Sequence, residues 1–275
     1  MRTTTLPSGL CLPVLGQGTW RMGEEASRRS EEVRALKQGL DLGMTLVDTA
    51  EMYHDAELVV REAIEGRRDE VYLVSKVLPE NASREGTIQA CERSLKRLGV
   101  EQVDLYLLHW PGQHPLEDTL AAFMDLRLKG KIAAYGLSNF DHDEMQAARE
   151  LPGGLGIAAN QCLYNVERRA PDARLIPACR EAGVLFMSYS PFEQGRLRPG
   201  SALAAVAARQ QVTPAQVALA WVLRHEGVVT IPKAVRPEHV EQNATALDIV
   251  FDEEDLTQLA RAYPPPPADA KIEFL

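Results

Sequence analysis

The 275-residue sequence has no apolar segment long enough to cross a membrane and no cysteine pattern typical of a metal module. Its longest apolar runs, Ala202–Ala208 and Val217–Leu223, fall far short of the roughly 20 residues that a spanning helix needs. The N-terminus lacks the apolar run of a secretory signal. The cysteines form no C-x-x-C pair, which is typical of free thiols in a reducing compartment: Cys11, Cys91, Cys162 and Cys179. We therefore expect a cytoplasmic protein with no membrane partner.

Positively charged residues are fewer than negatively charged ones. The chain has 30 Lys and Arg against 39 Asp and Glu, which gives a formal net charge of −9. This balance argues against a general nucleic-acid surface, which needs clustered cations, although it allows one anionic cofactor in a locally basic pocket. The six histidines include no H-x-H or H-E-x-x-H pattern. A metal-dependent hydrolase is therefore disfavoured, and we predict no metal ligands.

A repeated unit is present instead, in which an amphipathic stretch ends at a glycine and a short apolar run follows. Glu85–Leu98, for example, ends at Gly99 and precedes Val103–Leu108. Glycine adopts the left-handed conformation after a helix at little cost. Thr213-Pro214-Ala215-Gln216 is a capping box that marks a helix start, and another helix is expected to begin near Pro237. The remaining amphipathic stretches are Glu31–Leu42, Leu116–Lys129, Pro171–Ala182 and Thr213–Glu226.

Eight apolar runs are candidate strands, and they lack the alternation of a half-exposed sheet, as expected for strands covered on both faces. Strands that alternate with helices imply a parallel sheet, and eight such units predict an α/β fold of the (β/α)8 TIM-barrel type. The segment Thr3–Leu12, with Pro7-Ser8-Gly9 at its middle, is expected to form a β-hairpin that closes the barrel bottom. We predict one domain over residues 1–275, with strands near Val14–Thr19, Thr45–Asp48, Val71–Lys76, Asp104–His109, Ile132–Ser138, Gly156–Gln161, Val184–Tyr189 and Val228–Pro232.

Polar residues follow these apolar runs, and in a barrel such strand ends converge on one face, where barrel enzymes carry out their chemistry. Tyr53 lies just beyond one of them. A tyrosine has a reference pKa near 10, which a neighbouring ammonium can lower, so Lys76 held by Asp48 would make Tyr53 a better proton donor. His109 could orient a carbonyl oxygen or assist the proton transfer. Taken singly, a tyrosine such as Tyr53 is more often a packing aromatic, and a histidine such as His109 is more often a hydrogen-bonded core residue.

Together these residues resemble the catalytic tetrad of the aldo-keto reductases: Asp48, Tyr53, Lys76 and His109. The surrounding motifs occur in the order of that family between about residues 10 and 260, and they are most similar to those of short-loop bacterial reductases of methylglyoxal and other small aldehydes. The resemblance implies reduction of aldehydes and ketones to alcohols by hydride transfer from NADPH, with NADH a weaker possibility. The motifs are Gly18-Thr19-Trp20, Asp48–Tyr53, Ser75-Lys76, Leu107–Trp110, Gly136–Phe140, Asn160-Gln161, Tyr189-Ser190-Pro191 and Ile231-Pro232-Lys233.

The resemblance also implies a cofactor site along the barrel mouth. Tyr189 would stack on the nicotinamide, and Ser138, Asn139 and Gln161 would bind its carboxamide. Trp20 and Trp110 would line the substrate side with Tyr53 and His109, although both tryptophans could be ordinary rim packing. The remaining implied cofactor contacts are Gly18, Thr19, Trp20, Asp48, Ser190, Pro191, Phe192, Lys233, Ala234, Val235, His239, Gln242 and Asn243.

Two positions depart from the family pattern. Ala234 stands where serine is common, and His239 stands where an arginine commonly helps at the adenosine 2′-phosphate. Because histidine is mostly neutral at pH 7 and lacks the planar fork of arginine, we predict a mild preference for NADPH. Short segments around Trp110–Pro115 and Pro191–Gly200 predict an open mouth that favours small carbonyl substrates. We expect a monomer, and the alternative function is a non-enzymatic cofactor sensor or regulatory subunit.

Overall fold

The computed structural model describes residues 1–5, 11–197, 202–267 and 269–275. Its eight parallel strands pair in chain order, and a bridge between Leu15 and Thr230 joins the last strand to the segment before the first, which closes the barrel. The predicted (β/α)8 barrel and all eight candidate strands are thereby confirmed. The strands are β3 (Gln17–Gly18), β4 (Leu46–Asp48), β5 (Tyr72–Val77), β6 (Val103–Leu108), β7 (Ile132–Ser138), β8 (Ile157–Leu163), β9 (Leu185–Tyr189) and β10 (Val228–Thr230).

The five amphipathic stretches all contain helices, and so does the segment that begins at Pro237. The predicted capping box is present, because Thr213 accepts from the Gln216 backbone and Gln216 binds back to Thr213. The helix of residues 84–98 ends at Gly99, whose φ of +69° is the left-handed conformation that the sequence predicts. The helices are α1 (Arg29–Asp41), α2 (Ala56–Ala63), α3 (Arg84–Leu98), α4 (Leu116–Leu128), α5 (His142–Glu150), α6 (Leu175–Glu181), α7 (Ala202–Gln210), α8 (Pro214–Val222), α9 (Pro237–Thr245) and α10 (Glu253–Ala262).

The sequence pattern did not predict four of the helices in the described residues: α2, α5, α7 and α10. Helix α2 has only eight residues, too few to show helical periodicity clearly. Helix α5 begins at a capping box formed by Asp141 and Glu144, a signal that was available in the sequence. Among the described residues, no helix has both the length and the apolar character required to cross a membrane.

The barrel interior is filled by apolar side chains from successive strands, and it is closed below by the N-terminal hairpin. The strands β1 (Thr3–Thr5) and β2 (Cys11–Pro13) pair antiparallel, and buried Leu12 packs into the interior cluster. The predicted hairpin is thus confirmed, whereas its predicted turn, Pro7-Ser8-Gly9, lies outside the described residues. The interior cluster consists of Leu12, Leu46, Val74, Leu105, Leu107, Ala159, Leu185, Met187, Val229 and Ile231.

Candidate active site

Strand periodicity explains why polar groups gather at the carboxyl end of the barrel. Residues two apart point to the same face of a strand. Leu46, Val74 and Leu107 belong to the interior cluster, so the residues two positions later also face the barrel axis: Asp48, Lys76 and His109. The apolar layer is therefore followed by a polar one at the mouth. We call Asp48, Tyr53, Lys76 and His109 the buried floor, since each is at most 9% exposed.

A buried ion pair lies at the centre of this floor. Lys76 Nζ donates to Asp48 Oδ1 at 2.6 Å and to the Thr49 carbonyl oxygen at 2.9 Å. Gln161 Nε2 donates to the other carboxylate oxygen of Asp48 at 2.8 Å. Burial raises the pKa of Asp48 and lowers that of Lys76, while the attraction between the two charges opposes both shifts. The two partners thus hold each other in fixed positions.

Tyr53 lies between this pair and the histidine. Its hydroxyl oxygen is 3.4 Å from Lys76 Nζ and 3.4 Å from His109 Nε2. The expected lowering of its pKa is wrong for this arrangement: burial, and after it the Asp48 carboxylate, raises the pKa of Tyr53 well above its usual value. These effects outweigh the attraction of the Lys76 ammonium, which is paired with Asp48. The phenol is therefore fully protonated at neutral pH.

His109 completes the floor as a neutral imidazole. Burial, and after it the Lys76 ammonium, lowers the pKa of His109 well below its usual value. Its Nδ1 atom is buried and has no hydrogen-bond partner among the described residues. The partly exposed rings of Trp20 and Trp110 flank the floor, with ring centroids 4.9 Å from Tyr53 and 4.8 Å from His109, respectively. Both tryptophans therefore lie directly against side chains of the buried floor.

Amide and hydroxyl groups lie beside Tyr189 at the end of β9. The Tyr189 hydroxyl donates to Asn139 Oδ1 at 2.9 Å, and Ser138 Oγ donates to the Gln161 carbonyl oxygen at 2.8 Å. Asn139 and Ser190 adopt φ of +62° and +50°, a left-handed conformation that is uncommon for residues other than glycine. Such strain persists only where surrounding contacts fix it, and it is concentrated at functional sites.

A cluster of cations lies beyond the end of β10. Lys233 remains accessible to solvent, and partial burial, followed by the charge of Arg28, lowers the pKa of its ammonium, with Arg21 contributing further. Arg236 Nη2 lies 2.6 Å from His239 Nε2, immediately before α9. We call Arg21, Arg28, Lys233, Arg236 and His239 the cationic rim. Its three arginines were not predicted from the sequence, although the arginine just before the predicted helix at Pro237 was an available signal.

The remaining predicted cofactor residues lie on the same side of the barrel mouth or in the segments that leave it. Gly18 is in β3, and a Cβ atom there would lie 2.5 Å from the Ile231 carbonyl oxygen, so the close approach of these segments requires glycine. Gln242 and buried Asn243 are in α9. Thr19 directly follows β3, and the others lie two to five residues beyond the end of a barrel strand: Pro191, Phe192, Ala234 and Val235.

Glu193 anchors the loop that leaves Tyr189, a role that the sequence did not indicate. Its buried carboxylate accepts from Asn165 at 2.8 Å and from Arg168 at 2.9 Å. Asn165 also donates to the Ser190 carbonyl oxygen at 3.0 Å, and Arg168 pairs with Glu273 in the C-terminal tail. These contacts hold the first part of the loop and connect it to the tail. The end of the predicted short segment, residues 198–200, lies outside the described residues.

Comparison with known proteins identifies the group to which this site belongs. The model of the Aldo/keto reductase family matches residues 14–264. Methylglyoxal reductase YeaE of Escherichia coli is 46% identical over 96% of this chain and 95% of its own, and glyoxal reductase of Bacillus subtilis is 33% identical over 94% and 91%.

Two solved structures of an aldo/keto reductase from Klebsiella pneumoniae are also similar, each with a TM-score of 0.96. The complex with NADP and acetate is 46% identical over 99% of both chains, and the complex with NADPH is 45% identical over 100% of both. The resemblance that the sequence motifs indicated is therefore confirmed. The chain belongs to the aldo/keto reductase family.

Proposed function

We propose that this protein is an NADPH-dependent reductase of small aldehydes, with 2-oxoaldehydes such as methylglyoxal as its preferred substrates. The observation that carries the proposal is the position of the Tyr53 hydroxyl, 3.4 Å from both Lys76 Nζ and His109 Nε2 at the carboxyl end of the barrel. The similarity to methylglyoxal and glyoxal reductases supports the substrate class. The similarity to an enzyme solved with NADPH supports the cofactor.

The residues present fit a nicotinamide dinucleotide. Tyr189 offers a partly exposed aromatic face, and the polar groups of Ser138, Asn139 and Gln161 lie beside it. The cationic rim and the N-terminus of α9 suit the phosphates, since free backbone N–H groups and positive charge both attract anions. Arg236 supplies the guanidinium that the family pattern has at position 239. We therefore propose a clearer preference for NADPH over NADH than the histidine alone predicts.

When bound, NADPH supplies the hydride that reduces the carbonyl carbon. Tyr53 donates its proton to the carbonyl oxygen as negative charge develops there, which yields the alcohol and leaves a phenolate that regains a proton from water. The Lys76 ammonium stabilises that phenolate, because opposite charges attract strongly at a buried site. Neutral His109 orients the carbonyl oxygen through Nε2. Positioned donors of this kind help most where charge appears in the transition state.

The size of the mouth supports small substrates. The loop between β6 and α4 consists only of residues 109–115. Within this short loop, Trp110 lies beside His109. Trp20 lies on the other side, against Tyr53. A small, polar 2-oxoaldehyde can therefore reach the Tyr53 hydroxyl, while a bulky steroid ketone gains few additional contacts from such short loops.

The deciding experiment is a panel of aldehydes, ketones and sugars, assayed by the loss of reduced-nicotinamide absorbance with NADPH and with NADH. We expect methylglyoxal and related 2-oxoaldehydes to have the highest kcat/KM. Excess chelator should leave the rate unchanged, which separates this reaction from metal-dependent hydrolysis. A steroid ketone that outcompetes methylglyoxal, or no turnover of any carbonyl, would contradict the proposal.

The alternative of a non-enzymatic sensor is not favoured, because the relatives at 46% and 33% identity are reductases. We further propose that residues 1–275 act as one domain and as a monomer, since all proposed site residues come from a single barrel. The four free thiols support a location in the reducing cytoplasm.

A further inference from the structure

The position of Tyr53 poses a problem that the barrel strands alone do not solve. Asp48 and Lys76 lie in strands, and His109 directly follows one, whereas Tyr53 lies in the turn between β4 and α2, five residues beyond the strand end. The next residue, His54, has a φ of +40°, a strained conformation for a residue with a side chain. Proton donors must be held within about 0.5 Å of a productive position. Something outside the strands therefore has to fix this turn.

Arg97, in α3, contacts the turn at several points. Its Nη2 atom donates to the His54 carbonyl oxygen and lies 3.1 Å from Asp55 Oδ1. Its Nε atom donates to Glu57 Oε2 at 3.0 Å. One guanidinium thus binds the two residues after Tyr53 and the first turn of α2. Charge-assisted bonds to a planar guanidinium are strong and directional, so they restrict the turn in more than one direction.

Glu57 extends this contact to the strand that carries the lysine. Its carboxylate is 1% exposed, and its Oε1 atom accepts from Ser75 Oγ at 2.9 Å. Because neighbouring residues of a strand face opposite sides, Ser75 points outward to Glu57 while Lys76 points inward to Tyr53. The contacts form a closed ring. Arg97 binds His54, which follows Tyr53 in the chain, and it also binds Glu57. Glu57 binds Ser75, which precedes Lys76 in the chain, and Lys76 contacts Tyr53.

We propose that Arg97 and Glu57 are positioning residues for the proton transfer, which hold the Tyr53 hydroxyl at its distance from Lys76 through this ring. The inference rests on the proposed function of Tyr53 as proton donor. Neither residue reaches the barrel mouth: Arg97 lies on the outer helix layer, and Glu57 is buried between α2 and β5. Their effect on the reaction therefore passes through the placement of Tyr53 and Lys76.

The test compares Arg97→Met with Arg84→Met, a matched control in the same helix. Arg84 pairs with Asp125 of α4 at 2.8 Å, away from the ring. Each variant is measured for kcat with methylglyoxal, for the dissociation constant of NADPH, for melting temperature, and for the isotope effect on kcat with deuterated NADPH. A shift of about 1 Å in a reacting group can cost up to about a hundredfold.

We expect Arg97→Met to lower kcat by about ten- to a hundredfold, to raise the isotope effect because proton and hydride transfer become limiting, and to leave NADPH affinity within about twofold. Arg97→Lys should recover part of the loss, since it keeps the charge and one donor. Glu57→Gln keeps an acceptor for Ser75 but loses the ionic bond to Arg97, so it should show a smaller loss of the same kind. If Arg97→Met does not fold, the Glu57→Gln variant still tests the inference.

A purely structural role would give a different result. Arg97→Met and Glu57→Gln would then lower the melting temperature as Arg84→Met does, but they would keep the kcat and the isotope effect of the wild type. That outcome would overturn the inference. Failure of the proposed function is distinguishable, because in that case the wild-type protein itself would reduce no carbonyl compound.

Discussion

The buried floor and the cationic rim serve the same proposed reaction under opposite physical conditions. Every side chain of the floor is at most 9% exposed, and the charges of Asp48 and Lys76 are paired at 2.6 Å. The rim is open to solvent, where water and salt weaken each charge. A change in the floor should therefore affect stability and chemistry together, whereas a change in the rim should affect cofactor affinity alone.

The largest effect is expected from Lys76→Met. This change leaves the Asp48 carboxylate buried without its countercharge, which costs about 3–5 kcal/mol of unfolding free energy, and it also greatly lowers kcat. The double variant Asp48→Asn/Lys76→Met should regain most of the stability and none of the activity. Denaturant unfolding of both variants checks this. Equal stability of Lys76→Met and the wild type would remove the contrast between floor and rim.

Tyr53→Phe tests the chemistry of the floor with little change in packing. It removes only the hydroxyl, so we expect kcat to fall by at least about a hundredfold, the lower end for general acid catalysis. The dissociation constant of NADPH, measured by fluorescence titration, should stay near the wild-type value. Near-normal turnover in this variant would disprove the mechanism proposed for Tyr53.

The His109 imidazole should make stability depend on pH. Its pKa is lowered in the folded protein, so the unfolded chain takes up a proton first, and stability is lost as pH falls from the ordinary histidine value of about 6.5 towards the folded pKa. The folded protein should therefore be less stable at pH 5 than at pH 8. The His109→Gln variant lacks this contribution. Unfolding curves at the two pH values should therefore differ less for the variant than for the wild type.

Lys233→Ala and Arg236→Ala should each weaken NADPH binding by about tenfold, or about 1.4 kcal/mol, while NADH binding changes little. The loss should shrink in high salt, because exposed charges are screened. Lys131→Ala is the matched control, since Lys131 pairs loosely with Glu101 at 3.7 Å outside the mouth. Equal losses for NADH and NADPH would show that these cations do not distinguish the 2′-phosphate.

The smallest effect is expected from His239→Arg. Arg236 already lies 2.6 Å from His239, so a further guanidinium adds one charge to a rim that already has three. We expect NADPH to bind about threefold more tightly and the melting temperature to stay unchanged, within the range of a single exposed charge. A tenfold or larger gain would mean that His239, and not Arg236, determines the affinity of the rim.

The sequence predicted the positions of the buried floor better than its electrostatics or the residues of the cationic rim. Motif order and strand-end polarity placed Asp48, Lys76 and His109 correctly, because strand periodicity leaves little choice of direction. The pKa shift of Tyr53 was predicted with the wrong sign, since a pKa depends on burial and on which partner takes up the lysine charge. Arg21 and Arg28 were missed because they lie far from Lys233 in the chain, whereas Arg236 was a local signal that the motif comparison did not use.

The sequence by itself determined the (β/α)8 barrel and the four residues of the floor, because helix-ending glycines, apolar runs and the polar residues after them are local signals. Only the tertiary structure decided that Ser75 and Glu57 meet, that Arg97 reaches the turn after Tyr53, and that Arg28 adjoins Lys233. The physical reason is that these contacts join different helices and loops. Their distances depend on how the helix layer packs around the barrel, which no local pattern of residues encodes.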